Sequence, residues 1–374
     1  MLEVSVSKDG LDPEWDRFLE TKPDGCYQQS SLWAELKARF GWKPLRLVVK
    51  RQGEIVGGTQ ALLRPLTLFG SVGYVSKGPV VASDDPVLLE FLLDQLDHAA
   101  KTEHILFLKI QPAYGAERVA QCLLQRGAIP SETSVVPVAA PRTDISPEPE
   151  AILARMHYKT RYNIRRAERK GMSVRIGTEA DMHTFHRLVK VHSEQQGYSP
   201  SPDNYRYDLW STFSTRGRAC LLVAEYEGEI LSATVILAFG DAVFSLYLVD
   251  SGQHRDLNPQ SLLQWKAMLW GKEQGCAWYD FGGLNMSTVK TIMSDESLPD
   301  TRAGSLARYK MSFGSQLVFR PRACDVSFVW PRRLTGRMAP VLMDMNMRPL
   351  LRSLIGGSIY GDFRSRPESR PGSQ

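Results

Sequence analysis

Two stretches of the chain carry the same pattern of apolar and polar positions. Val48 to Leu63 reads VVKRQGEIVGGTQALL, and Leu222 to Leu237 reads LVAEYEGEILSATVIL. In each, an apolar run meets a Gly-centred polar turn, at Gly53 or Gly228, and a second apolar run opens on Glu-Ile. That pattern predicts a β-hairpin. The turn glycines fall one in each half of the chain. Beyond each hairpin come further strand material, a helical segment (Pro86 to Lys101; Pro259 to Gln274) and a short apolar strand (His104 to Ile110; Cys276 to Phe281). The repeated order predicts duplication of one α/β unit, with the proline-rich stretch Pro137 to Glu150 as the joint. Chance similarity of two hairpins is the alternative.

Hairpin strands followed by a helix and one more strand is also the order of acetyl-CoA-dependent N-acyltransferase (GNAT) folds, an analogy of order alone. The expected fold is therefore α/β (α+β): two tandem GNAT-like domains with mixed sheets flanked by helices. The boundaries expected are 1–145 and 146–318, with an extension at 319–374 whose last ~10 residues are polar and disordered. The pyrophosphate loop of acyl-CoA enzymes is not evident in either copy, which weakens an acyl-CoA donor. G-x-x-x-x-G-K-S/T, G-x-G-x-x-G and G-x-S-x-G are all missing, which removes the commonest nucleotide-binding and serine-hydrolase readings.

Taken as one continuous helix, Ile152 to Lys170 places Leu153, Met156, Ile164 and Ala167 on one arc and its basic side chains on the other. Tyr158 and Tyr162 fall in the basic half, where they either stack bases of a single-stranded nucleic acid end or pack on a neighbouring domain.

Composition agrees with a folded two-domain chain: 374 residues, 43% hydrophobic and 23% charged. No apolar run reaches the roughly 18 residues of a spanning helix, and MLEVSVSKDG lacks a signal-peptide pattern, so a cytoplasmic location is expected. The net charge of +5 is unevenly placed. Before Thr301 there are 33 basic and 37 acidic residues; from Thr301 onward there are 13 and 4. A second basic cluster runs from Arg155 to Arg175, opposed only by Glu168. Such segments favour phosphate-rich partners or anionic lipid, or form a solvated face. Five scattered cysteines without C-x-x-C spacing, and histidines His183, His186 and His192 without H-E-x-x-H spacing, give no disulfide framework and no metal site.

Five strings in order then carry a resemblance: QQSSLWAELKARFGWKP (Gln28 to Pro44), YVSKGPV (Tyr74 to Val80), KTRYNIRRAERKG (Lys159 to Gly171), SLLQWKAMLWGKEQGCAWYDFGG (Ser261 to Gly283) and ARYKMSFGS (Ala307 to Ser315). Through them the sequence resembles the FemABX family of peptidoglycan aminoacyltransferases. The resemblance implies transfer of an amino acid from aminoacyl-tRNA to a side-chain amine on a peptidoglycan stem peptide. It implies no cofactor, with aminoacyl-tRNA as co-substrate. Partners would be aminoacyl-tRNA and a nucleotide- or lipid-linked precursor, with a monomer working in the cytoplasm or at the inner membrane face. The long coiled-coil arm of some members has no heptad counterpart here.

The family's motifs carry over residue by residue. The Lys that contacts the acceptor's nucleotide end falls on Lys37. The Lys of the F-K-x-x-F-G string, beside the reacting carbonyl, falls on Lys310, expected at a strand-like position, with Tyr309 for the usual Phe. An aromatic substrate contact falls on Tyr247, Tyr205 aligns with an acceptor-binding tyrosine, and Arg206 stands near the place of an acceptor-binding arginine. Gln111 replaces an Asp proposed as general base, and an amide cannot accept a proton at neutral pH. The cluster Lys159, Arg161, Arg165, Arg166, Arg169 and Lys170 is expected to contact tRNA. The family's chain also returns after its second domain to pack on the first, which would bury Leu342, Met345, Leu350 and Leu351. Two rivals remain: an acyl-CoA-dependent N-acyltransferase of cell-surface or secondary metabolism, and an inactive nucleic-acid-binding protein.

Overall fold

The computed structural model describes residues 1–66, 70–82, 85–294 and 296–328. Leu342, Met345, Leu350 and Leu351 lie outside these residues.

The first half runs β1 (Leu2–Ser7), α1 (Pro13–Glu20), α2 (Ser31–Ala38), β2 (Lys43–Arg51), β3 (Glu54–Pro65), β4 (Ser71–Ser76), β5 (Val80–Val81), α3 (Pro86–Thr102), β6 (Ile105–Gln111), α4 (Glu117–Gln125) and β7 (Ile129–Pro130). There follow β8 (Ala139–Asp144), α5 (Pro149–Arg155), α6 (Tyr158–Arg169), β9 (Ser173–Ile176), α7 (Asp181–Gln196), α8 (Asp203–Ser214), β10 (Ala219–Tyr226), β11 (Glu229–Phe239), β12 (Ala242–Asp250), α9 (Pro259–Glu273), β13 (Trp278–Asp280), α10 (Met286–Met293), α11 (Arg302–Met311), β14 (Gln316–Phe319) and β15 (Cys324–Ser327). They form two mixed sheets, in the orders β1-β2-β3-β4-β6-β15-β7, with β5 on β3, and β14-β8-β13-β12-β11-β10-β9.

The two hairpins are equivalent in detail. Gln52 and Gly53 turn at φ 55° and 87°, and Glu227 and Gly228 at φ 51° and 82°. Positive φ at both turn positions is the type I′ geometry that matches strand twist, and glycine adopts it without a Cβ penalty. Each hairpin also has a register shift, between Val49 and Lys50 and between Ala224 and Glu225, at the same offset before the turn glycine in both. Both following helices start on proline, Pro86 and Pro259, where the missing N–H costs nothing.

Alternating strand positions fill three cores. Leu45, Leu47 and Val49 of β2 face Leu89, Leu92 and Leu96 of α3. Cys220, Leu222 and Ala224 of β10 face Leu262, Leu263 and Met268 of α9. The opposite faces of both sheets meet in a shared core that joins Trp15, Phe18, Tyr27 and Trp33 to Phe213, Val235, Phe239 and Phe244. Tyr27 stands edge-on to Phe244 at 5.0 Å and to Phe213 at 6.3 Å. The halves are thus fixed by buried aromatic surface, the largest per-residue source of burial free energy.

The chain crosses between the sheets twice. β8 pairs antiparallel with β13 in the second sheet, and β15 returns to pair with β6 in the first. A buried ion pair fastens that return: Lys109 Nζ of β6 is 2.7 Å from Asp325 Oδ1 of β15, with the side chains 7% and 5% exposed.

The stretch Ile152 to Lys170 is two helices and not one. Met156 and His157 are extended (ψ 154° and 141°), and the His157 N–H donates to the Ser312 carbonyl at 2.8 Å. The His157 ring nitrogen Nδ1 then accepts the Lys159 N–H at 3.3 Å, capping α6. The cap competes with helix continuation and wins because the α11–β14 connection supplies the acceptor. The apolar arc survives the break: Met156, Ile164 and Ala167 are buried and Leu153 is partly buried.

Candidate active site

A cavity of about 140 Å³ opens between the halves. Tyr27, Trp33, Tyr74, Lys77 and Tyr114 line it from the first half, and Tyr205, Phe244, Tyr247, Asp280, Gly283 and Arg320 from the far side. Its place follows from strand pairing. β4 and β6 pair in parallel along all of β4, from Ser71 to Ser76. Their counterparts β12 and β13 pair only at Ala242–Phe244, and from Ser245 onward β12 has no parallel partner among the described residues. The second half therefore has a splayed parallel pair, and the cavity-lining residues Ser245, Leu246, Tyr247, Gly282 and Gly283 sit at its mouth.

Lys310 approaches this mouth from behind. It lies in α11, a helix where the sequence pattern predicted a strand-like position, because the Thr301 side chain caps the segment at Gly304 N–H and starts it as a helix. Its Nζ donates to the Gly283 carbonyl at 3.0 Å and the Gly282 carbonyl at 3.4 Å. Burial pushes its pKa down to about 8, while the Asp280 carboxylate works upward. The loop it holds lies close against Pro137, since a Cβ on Gly283 would meet Pro137 Cβ at 2.0 Å.

Lys37 of α2 is 1% exposed. Its Nζ donates to the Tyr205 hydroxyl at 3.3 Å and lies 4.9 Å and 4.8 Å over the rings of Trp33 and Tyr205. Burial, with repulsion from Arg64 second, pushes it down to about 7. Tyr205 and Tyr247 are both cavity-lining, and Tyr247 Oη pairs with Ser201 Oγ at 3.3 Å. Burial raises both phenols, so both stay protonated.

Other expected residues stand elsewhere. Arg206 is buried but donates to the Asp203 carboxylate in the first turn of its own helix α8 and to the Ser201 carbonyl just before it, away from the cavity lining. Tyr309 packs edge-on to Phe313 at 5.2 Å in the second core, because its neighbour Lys310 takes the helix face toward the Gly282–Gly283 loop. Gln111 is fully buried at the end of β6, its Oε1 accepting the Val136 N–H at 2.8 Å, and is not among the lining residues.

The basic cluster lies on α6, where Tyr158 and Tyr162 are 62% and 57% exposed. Its charges are not equivalent. Arg166 pairs with Asp256 at 3.1 Å, and Arg161 donates to the Ala154 and Met156 carbonyls. Arg169 Nε donates to the Arg165 carbonyl at 3.3 Å, and Lys159 lies 6.0 Å over Tyr158. Among the described residues, Lys159, Arg165, Arg169 and Lys170 have no carboxylate at ion-pair distance. A shallow groove runs along Tyr158, Arg161, Tyr162, Arg165, Glu168 and Arg169, with the Glu168 carboxylate paired to Lys266 at 2.9 Å.

Sequence reasoning missed Lys77, Tyr114, Asp280 and Arg320. Lys77 and Asp280 fall inside the strings SKGP and YDFGG, which marked them without a role. Tyr114 and Arg320 belong to no local pattern, and only the fold brings them together: the Arg320 guanidinium stands 3.9 Å over the Tyr114 ring.

Two interlocked GNAT-type units, with a splayed strand pair and a lysine-backed cavity between them, define a tandem GNAT-fold acyltransferase. Residues 11–122 match the FemAB family profile and residues 154–310 the acetyltransferase (GNAT) domain. The chain is 23% identical over 349 residues to a lipid II:glycine glycyltransferase of Staphylococcus aureus (strain MRSA252), covering 73% of this chain and 83% of that protein. The crystal structure of FemX superposes with a TM-score of 0.78 at 21% identity, covering 89% of this chain and 99% of that one. A tandem GNAT protein from the clavulanic acid biosynthesis pathway gives 0.52 at 13% identity, covering 88% and 99%. The first half of the chain thus matches the FemAB family and the second half a GNAT acetyltransferase domain, and the chain as a whole is similar to the FemABX enzymes. Among the described residues no helix is long and apolar enough to cross a membrane.

Proposed function

We propose that the protein transfers an amino acid from aminoacyl-tRNA to the side-chain amine of a peptidoglycan stem peptide on a lipid-linked precursor. The splayed β12–β13 pair supports this most directly: it opens the second half toward a cavity that the first half closes, so a donor and an acceptor entering from different halves meet there.

The chemistry asks little covalent participation of the enzyme. An amine is a competent nucleophile and a tRNA ester an activated acyl group, so positioning, proton removal and oxyanion stabilisation suffice. Lys310 supplies a fixed positive charge behind the Gly282–Gly283 loop, where negative charge develops on the ester oxygen. Lys37 supplies a second, one that an anionic substrate group would hold in its charged form despite burial. The exposed face of α6, with free charges on Lys159, Arg165, Arg169 and Lys170 and two exposed tyrosines, suits the phosphates and bases of a tRNA end. A lipid-linked acceptor places the enzyme at the inner membrane surface, which it would contact peripherally.

The test is incubation of the purified protein with a labelled aminoacyl-tRNA pool and either lipid-linked or nucleotide-linked stem peptide, followed by mass analysis. The expected product is the stem peptide extended by an amino acid residue. Transfer from acetyl-CoA, with none from aminoacyl-tRNA, would reject the reading.

A further inference from the structure

The cavity holds an arrangement of charge that its part in acyl transfer does not use. Lys77 follows β4 and is 6% exposed. Its Nζ lies 3.2 Å from Cys26 Sγ, 4.9 Å over the Phe244 ring and 5.5 Å over the Tyr27 ring. Arg320 follows β14 and is also 6% exposed. Its guanidinium stacks on Tyr114 and donates to the Pro137 carbonyl, and among the described residues its Nε has no hydrogen-bond partner. Among the described residues neither cation has a carboxylate at ion-pair distance, although both line the same cavity. Burying an unpaired charge is costly, and burying two against one small space more so. Burial and the nearby Arg320 together depress the Lys77 pKa, a penalty that an anion between them would relieve.

One carboxylate lines the cavity among the described residues, that of Asp280, which is 3% exposed. Its Oδ1 accepts the Gly282 N–H at 2.7 Å, and its Oδ2 accepts the Tyr114 hydroxyl at a long 3.4 Å. Oδ2 thus keeps capacity for a stronger donor. Two cations and one carboxylate around about 140 Å³ are complementary to a carboxylate and an ammonium on one carbon. A plain alkyl ammonium would leave both cations unpaired. A phosphate would satisfy them but face Asp280.

We infer that the acceptor amine sits on a carbon that also bears a carboxylate, with Lys77 and Arg320 binding the carboxylate and Asp280 taking a proton from the ammonium. The inference rests on the reaction proposed above and names its acceptor class: the amino-carboxylate end of a diaminopimelate-type residue and not the side chain of lysine. In the step, Asp280 removes one proton from the ammonium and later releases it to solvent. The free amine attacks the ester carbonyl and forms the N–C bond. As the C–O bond to the ribose breaks, a second proton passes from nitrogen to the leaving oxygen.

The experiment measures calorimetric binding of three nucleotide-linked stem pentapeptides to the full-length protein: one with meso-diaminopimelate at position three, one with the carboxylate beside its free amine amidated, and one with L-lysine. The first should bind about 10- to 100-fold tighter than the other two, the worth of a charge-assisted pair. Lys77→Met should reduce that preference below about threefold. Equal binding of all three to the wild type, which requires no variant to fold, would overturn the inference. So would inorganic phosphate that competes with the lysine peptide as well as with the diaminopimelate peptide, since it would assign the cations to a phosphate group. Binding does not depend on the donor, and transfer from aminoacyl-tRNA to hydroxylamine tests the donor chemistry separately, so the two readings can fail independently.

Discussion

The Lys37 ammonium donates to the Tyr205 hydroxyl at 3.3 Å, joining α2 of the first half to α8 of the second through a buried contact with no carboxylate in it. The lysine is kept from its usual charge state by burial, and its ring neighbours Trp33 and Tyr205 offset only part of the lost hydration.

That contact gives stability a definite pH dependence. Lys37 titrates at about 7 in the folded protein against 10.5 when exposed, so between these values the unfolded chain binds more protons at this site. Its contribution therefore rises as pH increases from about 7 toward 10, and is lost as pH falls through 7. Lys37→Met should raise the melting temperature at pH 7 and flatten its rise between pH 7 and 9. Thermal melts of both proteins across that range, compared as differences, check the sign.

Lys310→Ala should lower the single-turnover rate of aminoacyl transfer by about 10² to 10³, the usual effect of removing one preorganised charge beside a developing oxyanion. The Gly282 and Gly283 carbonyls lose their donor in that variant. Melting temperature should therefore be recorded alongside the rate. Near-normal transfer by the folded variant would remove Lys310 from the chemistry.

The α6 face should show itself in salt dependence. Four phosphate contacts by Lys159, Arg165, Arg169 and Lys170 predict a slope of log affinity for tRNA against log salt of about −3, at roughly −0.7 per contact. Reversing Arg165 and Arg169 to Glu should weaken binding and flatten the slope by about 1.4. Arg166→Glu should matter less, because Arg166 is already neutralised by Asp256. An unchanged slope in the double reversal would make the helix a solvated face.

Asp325→Ala should destabilise the protein by about 3–5 kcal/mol, the typical cost of stranding one member of a buried ion pair. Lys109 would be left buried with Ser131 as its remaining close side-chain partner. Urea denaturation of the variant and wild type measures this directly. A cost under about 1 kcal/mol would mean that the β15–β6 seam is held by the backbone ladder alone.

What was legible in the sequence was local. The hairpins at Gly53 and Gly228, the prolines opening α3 and α9 and the strand after each helix are short-range patterns, and each reports its own element. Lys37 and Lys310 were singled out because flanking strings carried them. The break at Met156–His157 was hidden because its cause, the Ser312 carbonyl, belongs to the distant connection between α11 and β14. Arg206 and Tyr309 sit beside good candidates in sequence but turn their side chains elsewhere, toward Ser201 and Phe313. The group of Lys77, Tyr114, Asp280 and Arg320 draws on four separate segments, and no periodicity or spacing in the chain connects them.

The return of β15 also has a consequence for synthesis. When the first half has left the ribosome, β6 still has an unpaired edge, since its partner Cys324–Ser327 is translated only after the whole second sheet. An open strand edge next to a finished hydrophobic core invites pairing with other chains. The nascent protein must therefore wait, with one side of its first sheet exposed, until nearly the whole described chain has emerged. Chaperone demand should be greatest in that interval, and a released fragment ending just after β8 should aggregate through β6.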